Sequence, residues 1–331
     1  MTDSEIVLRT ESLSKTFRVG FWGRQVTALE GLDLGVRRGE VFGFLGPNGA
    51  GKTTTLKLLM GLIYPTSGNA WILNRAIGDV HVKHQVGFLP EAPYFYDYLT
   101  GEEFLRFYGQ LFGLGGHRLS ERITQLLGIV GLSEARDLQL RRFSKGMLQR
   151  IGIAQALIND PHLVILDEPM SGLDPVGRKE IRDLILSLRE QGKTVFFSSH
   201  ILHDAEVLCD RVGILLKGRL VALGKVTELI GAASTRSIEI VVEGLDGEGL
   251  AYLREIAQTV LPQGERTFAI LRGQEQVEEI LDLIRQRKAS LISLTPQKSS
   301  LEDLFMREVQ QQDQESLSLE GGGMGGGEVP R

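Results

Sequence analysis

Gly46-Pro47-Asn48-Gly49-Ala50-Gly51-Lys52-Thr53-Thr54 restricts what this chain can fold into more than any other stretch. It obeys the pattern G-x-x-x-x-G-K-[ST]. The apolar run Val41-Phe42-Gly43-Phe44-Leu45 precedes it and reads as a buried parallel strand. Thr55-Leu56-Lys57-Leu58-Leu59-Met60 follows and reads as an amphipathic helix. A glycine-rich turn in that setting captures anions. Glycines let successive backbone N–H groups converge on one point, and the new helix adds its unpaired donors and positive dipole end. Gly46, Asn48, Gly49, Gly51 and Thr54 are therefore expected to cradle the phosphates of a nucleotide. Lys52 is expected to reach the β- and γ-phosphates, and the Thr53 hydroxyl to ligate Mg²⁺.

The chain has 331 residues, room for two domains, and its 42% apolar and 24% charged content is that of a soluble globular protein. A single cysteine, Cys209, excludes an intramolecular disulfide and suits a reducing compartment. Asp3 and Glu5 stand early with no apolar stretch after them, so no signal peptide is expected. No run approaches the ~18 apolar residues of a membrane span. If the protein acts at a membrane, another chain is expected to supply the membrane part. Residues 1–224 hold 26 Lys+Arg against 24 Asp+Glu, whereas residues 225–331 hold 11 against 18. The acidic C-terminal third argues against a grip on nucleic acid.

Taken in order, Ile6-Val7-Leu8 and Thr27-Ala28-Leu29 look like strands of an antiparallel layer. Between them lie Ser14–Arg18 and then Phe21-Trp22. An aromatic here either stacks on an adenine ring or packs within the small sheet. Ala70–Leu73 and Val86–Leu89 read as further strands. Residues 92–160 change to helical periodicity, with helices over Glu102–Phe112, Arg118–Val130 and Lys145–Asn159. The alternating pattern resumes at Leu163–Leu166, followed by a helix over Val176–Gln191, with Gly192 at its C′ position. Thr194–Ser198 is a strand, and Val212–Leu216 and Leu220–Leu223 form a hairpin across Lys217-Gly218. Strands alternating with helices imply a mainly parallel, doubly covered sheet. A smaller α/β unit is expected over 225–311, with strands at Ser237–Val242, Thr267–Leu271 and Ala289–Leu294. Its helices are expected at Leu250–Val260, Glu275–Arg287 and Ser300–Gln310. Residues 312–331, rich in glycine, read as a disordered tail.

Asp167-Glu168 ends the apolar strand at the carboxyl edge where open α/β sheets bind ligands. Beside a phosphate loop, Asp167 suits Mg²⁺ and Glu168 suits a general base that polarises water. A buried ion pair with Lys52 is the structural alternative. His200 follows the strand expected to neighbour that of Asp167, and suits either a contact to the γ-phosphate or a purely structural role. Ser144 is a credible N-cap of the helix that starts at Lys145. The same helix start reads alternatively as a second anion-binding terminus, with Lys145 adding charge. Two phosphate-seeking helix starts with one glycine-rich loop suggest two chains sharing each nucleotide.

Together these stretches resemble the ATP-binding subunit of an ABC transporter. Gly46–Thr54 is similar to the family's Walker A motif and Leu163–Pro169 to Walker B with its glutamate. Ser171-Gly172-Leu173-Asp174 resembles the D-loop, and His200 the switch histidine. Phe143–Arg150 resembles the L-S-G-G-Q-x-Q-R signature at Ser144, Gly146, Gln149 and Arg150, and departs from it at Phe143, Lys145 and Met147. The Q-loop glutamine falls on Glu91, whose carboxylate still suits Mg²⁺. The adenine-stacking aromatic falls on Phe17, with Trp22 as its rival. The resemblance covers residues 5–224. It implies a P-loop NTPase fold with an antiparallel β subdomain and a helical insertion, a C-terminal α/β accessory domain, and hydrolysis of ATP with Mg²⁺. It also implies a second ATPase subunit, whose Ser144–Gly146 turn and Asp174 help close the first subunit's site. The C-terminal segment ending in Ser300–Phe305 resembles the bacterial drug- and sodium-efflux branch. That branch implies export through a separate permease at the cytoplasmic face of the inner membrane. A soluble ATPase acting on ribosomes or DNA, or a nucleotide-dependent regulatory module, is the alternative.

Overall fold

The structure is a computed structural model that describes residues 5–20, 23–233, 237–296 and 300–321. Phe21, Trp22 and the glycine-rich end from 322 onward lie outside the described residues. The chain divides into two compact units, Met1–Val226 and Thr227–Arg331.

In the first unit, β1 (Ile6–Val19) and β2 (Arg24–Arg37) form a long antiparallel hairpin. Each expected three-residue strand is part of a 14-residue strand. Bulges between Thr10 and Thr16 break the two-residue periodicity, which hid the full length from a pattern reading. β3 (Val41–Leu45) is wholly buried and leads into α1 (Lys52–Leu59). β4 (Ser67–Ile72) and β5 (Arg75–Ala76) complete an antiparallel sheet of order β2-β1-β4-β5. The short α2 (Val80–Lys83) then leads to β6 (Val86–Leu89).

The helical segment holds α3 (Gly101–Leu111), α4 (Gly116–Ile129) and α5 (Lys145–Ala156). Thr100 and Glu103 form a reciprocal capping box on α3. Arg136 and Arg106 both donate to Glu102, which holds its carboxyl at about 2 and ties α3 to the chain leading toward Ser144. α5 stops at Ala156, not at Asn159. Asp160 adopts φ +53, so the chain has already left the helix as it turns into the next strand.

β7 (Leu163–Asp167), α6 (Pro175–Glu190), β8 (Thr194–Ser199), α7 (Leu202–Leu208), β9 (Arg211–Leu216) and β10 (Arg219–Lys225) finish the unit. Gly192 has φ +79, the left-handed turn expected just beyond α6. The central sheet runs β10-β9-β3-β8-β7-β6, with parallel neighbours throughout except the β9–β10 hairpin. β8 therefore lies between β3 and β7. The loops after these three strands open at the same edge of the sheet, which is what builds the site.

The second unit begins within α8 (Val226–Ala233). It continues as β11 (Ser237–Glu243), α9 (Gly247–Ile256), β12 (Thr259–Gln263), β13 (Arg266–Arg272), α10 (Gly273–Gln286), β14 (Ser290–Pro296) and α11 (Leu301–Gly321). Its antiparallel sheet runs β12-β13-β11-β14 over a core that includes Ile240, Val242, Leu253, Leu271 and Ile280. Two expectations are corrected here. The helix expected to reach Val260 ends at Ile256, because Thr259-Val260-Leu261 pairs as an edge strand; Pro262 is tolerated at that edge. The tail expected from residue 312 is helical as far as Gly321, since Gln311–Glu320 contains neither glycine nor proline. Among the described residues, no helix is long and apolar enough to cross a membrane.

Candidate active site

The phosphate loop leaves β3 through Gly46 (φ +154) and enters α1 through Gly51 (φ +107). A Cβ on Gly46 would lie 2.2 Å from the Leu215 carbonyl oxygen, and one on Gly51 would lie 2.3 Å from that of Ala28. Only glycine fits either position. α1 has no side-chain cap, and the Thr55 N–H bonded to the Gly51 carbonyl at 2.9 Å opens its backbone ladder. The preceding N–H groups of Lys52, Thr53 and Thr54 are left as donors for an anion. They border a cleft of about 230 Å³ lined by Ala28, Asn48, Gly49, Gly51, Lys52, Thr53, Thr54, Glu91 and Glu168.

Lys52 is buried. Its Nζ donates to the carbonyls of Gly46 (2.7 Å) and Pro47 (3.1 Å) and stands 3.2 Å from Glu168 Oε1. The ion pair weighed from the sequence is therefore present. Among the described residues, Glu168 Oε1, itself buried, has no aligned hydrogen-bond donor. The pair thus rests on charge proximity alone, and an incoming phosphate can offer Lys52 a better partner. Glu168 adopts φ +50, a left-handed backbone uncommon outside glycine, and its Oε2 lies 2.8 Å from His200 Nδ1.

Asp167 is 1% exposed. Its Oδ1 accepts from Ser198 Oγ at 2.6 Å and from Thr53 Oγ1 at 3.4 Å. Burial pushes the Asp167 carboxyl above its usual range, and the Ser198 and Thr53 hydrogen bonds draw it partly back. Among the described residues no cluster of three or more His, Cys, Asp or Glu side chains forms a metal cage. A hydroxyl beside one carboxylate, next to a phosphate loop, instead fits an ion that brings phosphate and water ligands with it, as Mg²⁺ does.

The other expected site residues lie apart from the cleft lining. Phe17 is half-buried on β1 opposite Val26, with Lys15 Nζ 5.1 Å over its ring. Ser144 is the exposed N-cap of α5, accepting from the Met147 N–H at 3.2 Å; Gly146 lies in the first turn. Asp174 caps α6, accepting from the Gly177 N–H at 2.9 Å. Ser198 was not anticipated, although its hydroxyl contacts both carboxylate-bearing residues, accepting from the Glu168 N–H at 2.9 Å. The signal is its register opposite Asp167, which the expected adjacency of the two strands does not by itself supply.

Residues 29–171 match the family model for the ABC transporter. An uncharacterized ABC transporter ATP-binding protein of Synechocystis is 47% identical over 309 residues, covering 92% of this chain and 85% of its own length. The chain belongs to the ATP-binding subunits of ABC transporters. The fluoroquinolones export ATP-binding protein of Mycobacterium tuberculosis is 40% identical to this subunit over 266 residues, 80% of this chain and 85% of its own. A dimeric ATP-binding cassette solved in a post-hydrolysis state with ADP and Pi superposes with TM-score 0.60 at 26% identity. The match covers 66% of this chain and 98% of the cassette. The subunit is accordingly an ATP-binding ATPase with the P-loop fold of this family. Such subunits generally dimerise and work with membrane permeases.

Proposed function

We propose that this subunit hydrolyses MgATP at a site completed by a second ATPase subunit and so powers export through a separate permease at the cytoplasmic face of a bacterial inner membrane. The observation that carries this reading is the meeting of Lys52, Asp167, Glu168 and His200 at one sheet edge, with Ser144 left outside the cleft. The loop amides and Lys52 bind the β- and γ-phosphates. Thr53, Asp167 and Glu91 would hold Mg²⁺, which would supply positive charge to offset that of the phosphates. Phosphate draws Lys52 from Glu168, whose carboxylate then orients water and accepts its proton, while His200 steadies Oε2. The Ser144–Gly146 turn and Asp174 serve the nucleotide of the opposite chain. The export name of the mycobacterial relative supports the direction.

Phe17 is assigned to the adenine ring. Phe17→Ala should weaken binding of a fluorescent ATP analogue by roughly 1–3 kcal/mol, the usual worth of an aromatic stacked on a base. Unaltered affinity would remove Phe17 from the site.

The permease contact is assigned to the aromatic surface that follows Glu91. Tyr94 and Tyr98 are 78% and 61% exposed, and Tyr96 links them to Phe107 with ring centroids 5.5–6.1 Å apart. A contiguous exposed aromatic group of this kind marks a protein interface. The Tyr94→Ser, Tyr98→Ser double variant should retain the ATPase activity of the isolated subunit yet no longer co-purify with membranes. Mass spectrometry of the unaltered complex should return a protein with several membrane spans. A ribosomal partner would favour the soluble alternative instead.

A further inference from the structure

We infer that Ser198 is a positioning residue for hydrolysis, one hydroxyl that fixes both the Asp167 carboxylate and the backbone of Glu168. This rests on the reading of Asp167 as the Mg²⁺ carboxylate and Glu168 as the base. Ser198 is fully buried, with zero exposure, and follows the apolar run Val195-Phe196-Phe197. A hydroxyl in such surroundings is destabilising unless its hydrogen bonds are made.

Here they are made, and in a defined sense. A serine hydroxyl has one proton to give and lone pairs to receive. Asp167 Oδ1, 2.6 Å away, takes the proton, and the Glu168 N–H, 2.9 Å away, fills a lone pair. With Thr53 also directed at Oδ1 (3.4 Å), Asp167 Oδ2 is the oxygen left for a metal or its water. The second bond acts on the peptide that enters the left-handed turn. Glu168 at φ +50 leaves the strand in a conformation that side-chain-bearing residues seldom hold, and from there its carboxylate meets Lys52 and His200.

The next two residues of the chain fasten the rest of the site. The Ser199 carbonyl accepts from the Gly46 N–H at 3.2 Å, and His200 Nδ1 lies 2.8 Å from Glu168 Oε2. The end of β8 thus holds the phosphate loop, the base and the metal carboxylate in one register. Ser198 is the member that reaches both acidic residues.

The test compares Ser198→Ala, Ser198→Thr and Asp167→Asn in the full-length subunit, with thermal unfolding recorded for each. Ser198→Ala should lower kcat by about 10²-fold, the scale of a small misplacement at a reacting centre, while KM for ATP stays near that of the unaltered subunit. A second readout is binding of trinitrophenyl-ATP with Mg²⁺ and with EDTA. Ser198→Ala should keep the EDTA affinity and lose the gain that Mg²⁺ brings. Ser198→Thr, which returns the hydroxyl on the same carbon, should restore both kcat and that gain. The inference is overturned if Ser198→Ala matches the unaltered subunit, or if the alanine and threonine variants are impaired alike in both readouts. Should Asp167→Asn retain full turnover, the metal reading falls. Should Asp167→Asn be inactive while Ser198→Ala is indifferent, the Ser198 inference falls alone.

Discussion

Glu168→Gln should bind ATP and cut its turnover by about 10²–10⁴-fold, the usual contribution of a general base. The substitution preserves the shape of the side chain and removes its capacity to accept a proton. It also removes the anionic partner of Lys52, now 3.2 Å from Oε1, so the cation is free for phosphate and affinity does not fall. The amide can still meet His200 Nδ1, 2.8 Å from Oε2 in the native chain, so the turn out of β7 keeps its side-chain anchor. With binding intact and hydrolysis blocked, an ATP-bound dimer should accumulate and elute early in size-exclusion chromatography run with MgATP. Turnover at the unaltered rate would exclude Glu168 as the base. Loss of turnover together with loss of ATP binding would make Glu168 part of the binding apparatus instead.

The phosphate loop was legible in the sequence because everything it needs is local: an apolar strand, glycines, a lysine and a helix start within one short stretch. The two acidic residues at the end of β7 were legible for a similar reason, as charge directly after a fully buried run. Ser198 was not, although the sequence already sets β7 and β8 side by side. Its role depends on the register that places it opposite Asp167 and on β8 lying between β7 and β3, and no local pattern around Ser198 announces either. The Ser144 cap was readable from residue type and helix periodicity, and the structure has its hydroxyl on the Met147 N–H. In the second unit Thr259-Val260, the start of β12, reads from the sequence as the end of a helix. A few apolar residues fit either period, and only pairing with β13 decides between them.

Mixing two inactive variants should recover ATPase activity. Ser144 and Lys52 stand on different helix starts, and the cleft that Lys52 lines does not include Ser144. If one chain formed a complete enzyme, Ser144 would have only its capping bond to maintain. We expect instead that each nucleotide is closed by Ser144 of the opposite subunit. Ser144→Arg keeps the phosphate loop, and so most ATP contacts, but places bulk where the second chain must approach. Its turnover should fall by about 10²–10³-fold, the scale for losing one donor to a developing anion. Lys52→Ala fails for the other reason, since no second cation lines the cleft among the described residues. In a heterodimer of the two, the Ser144→Arg chain supplies an intact phosphate loop and the Lys52→Ala chain supplies an intact Ser144. One of the two sites is then whole. Co-expressing the variants with different affinity tags and purifying through both isolates that heterodimer, and its ATPase rate is the measurement. Activity well above either parent supports a shared site. Normal hydrolysis by Ser144→Arg alone would show that the opposite chain's turn is not needed, and a purified heterodimer as inactive as its parents would show that one whole site cannot work beside a broken one.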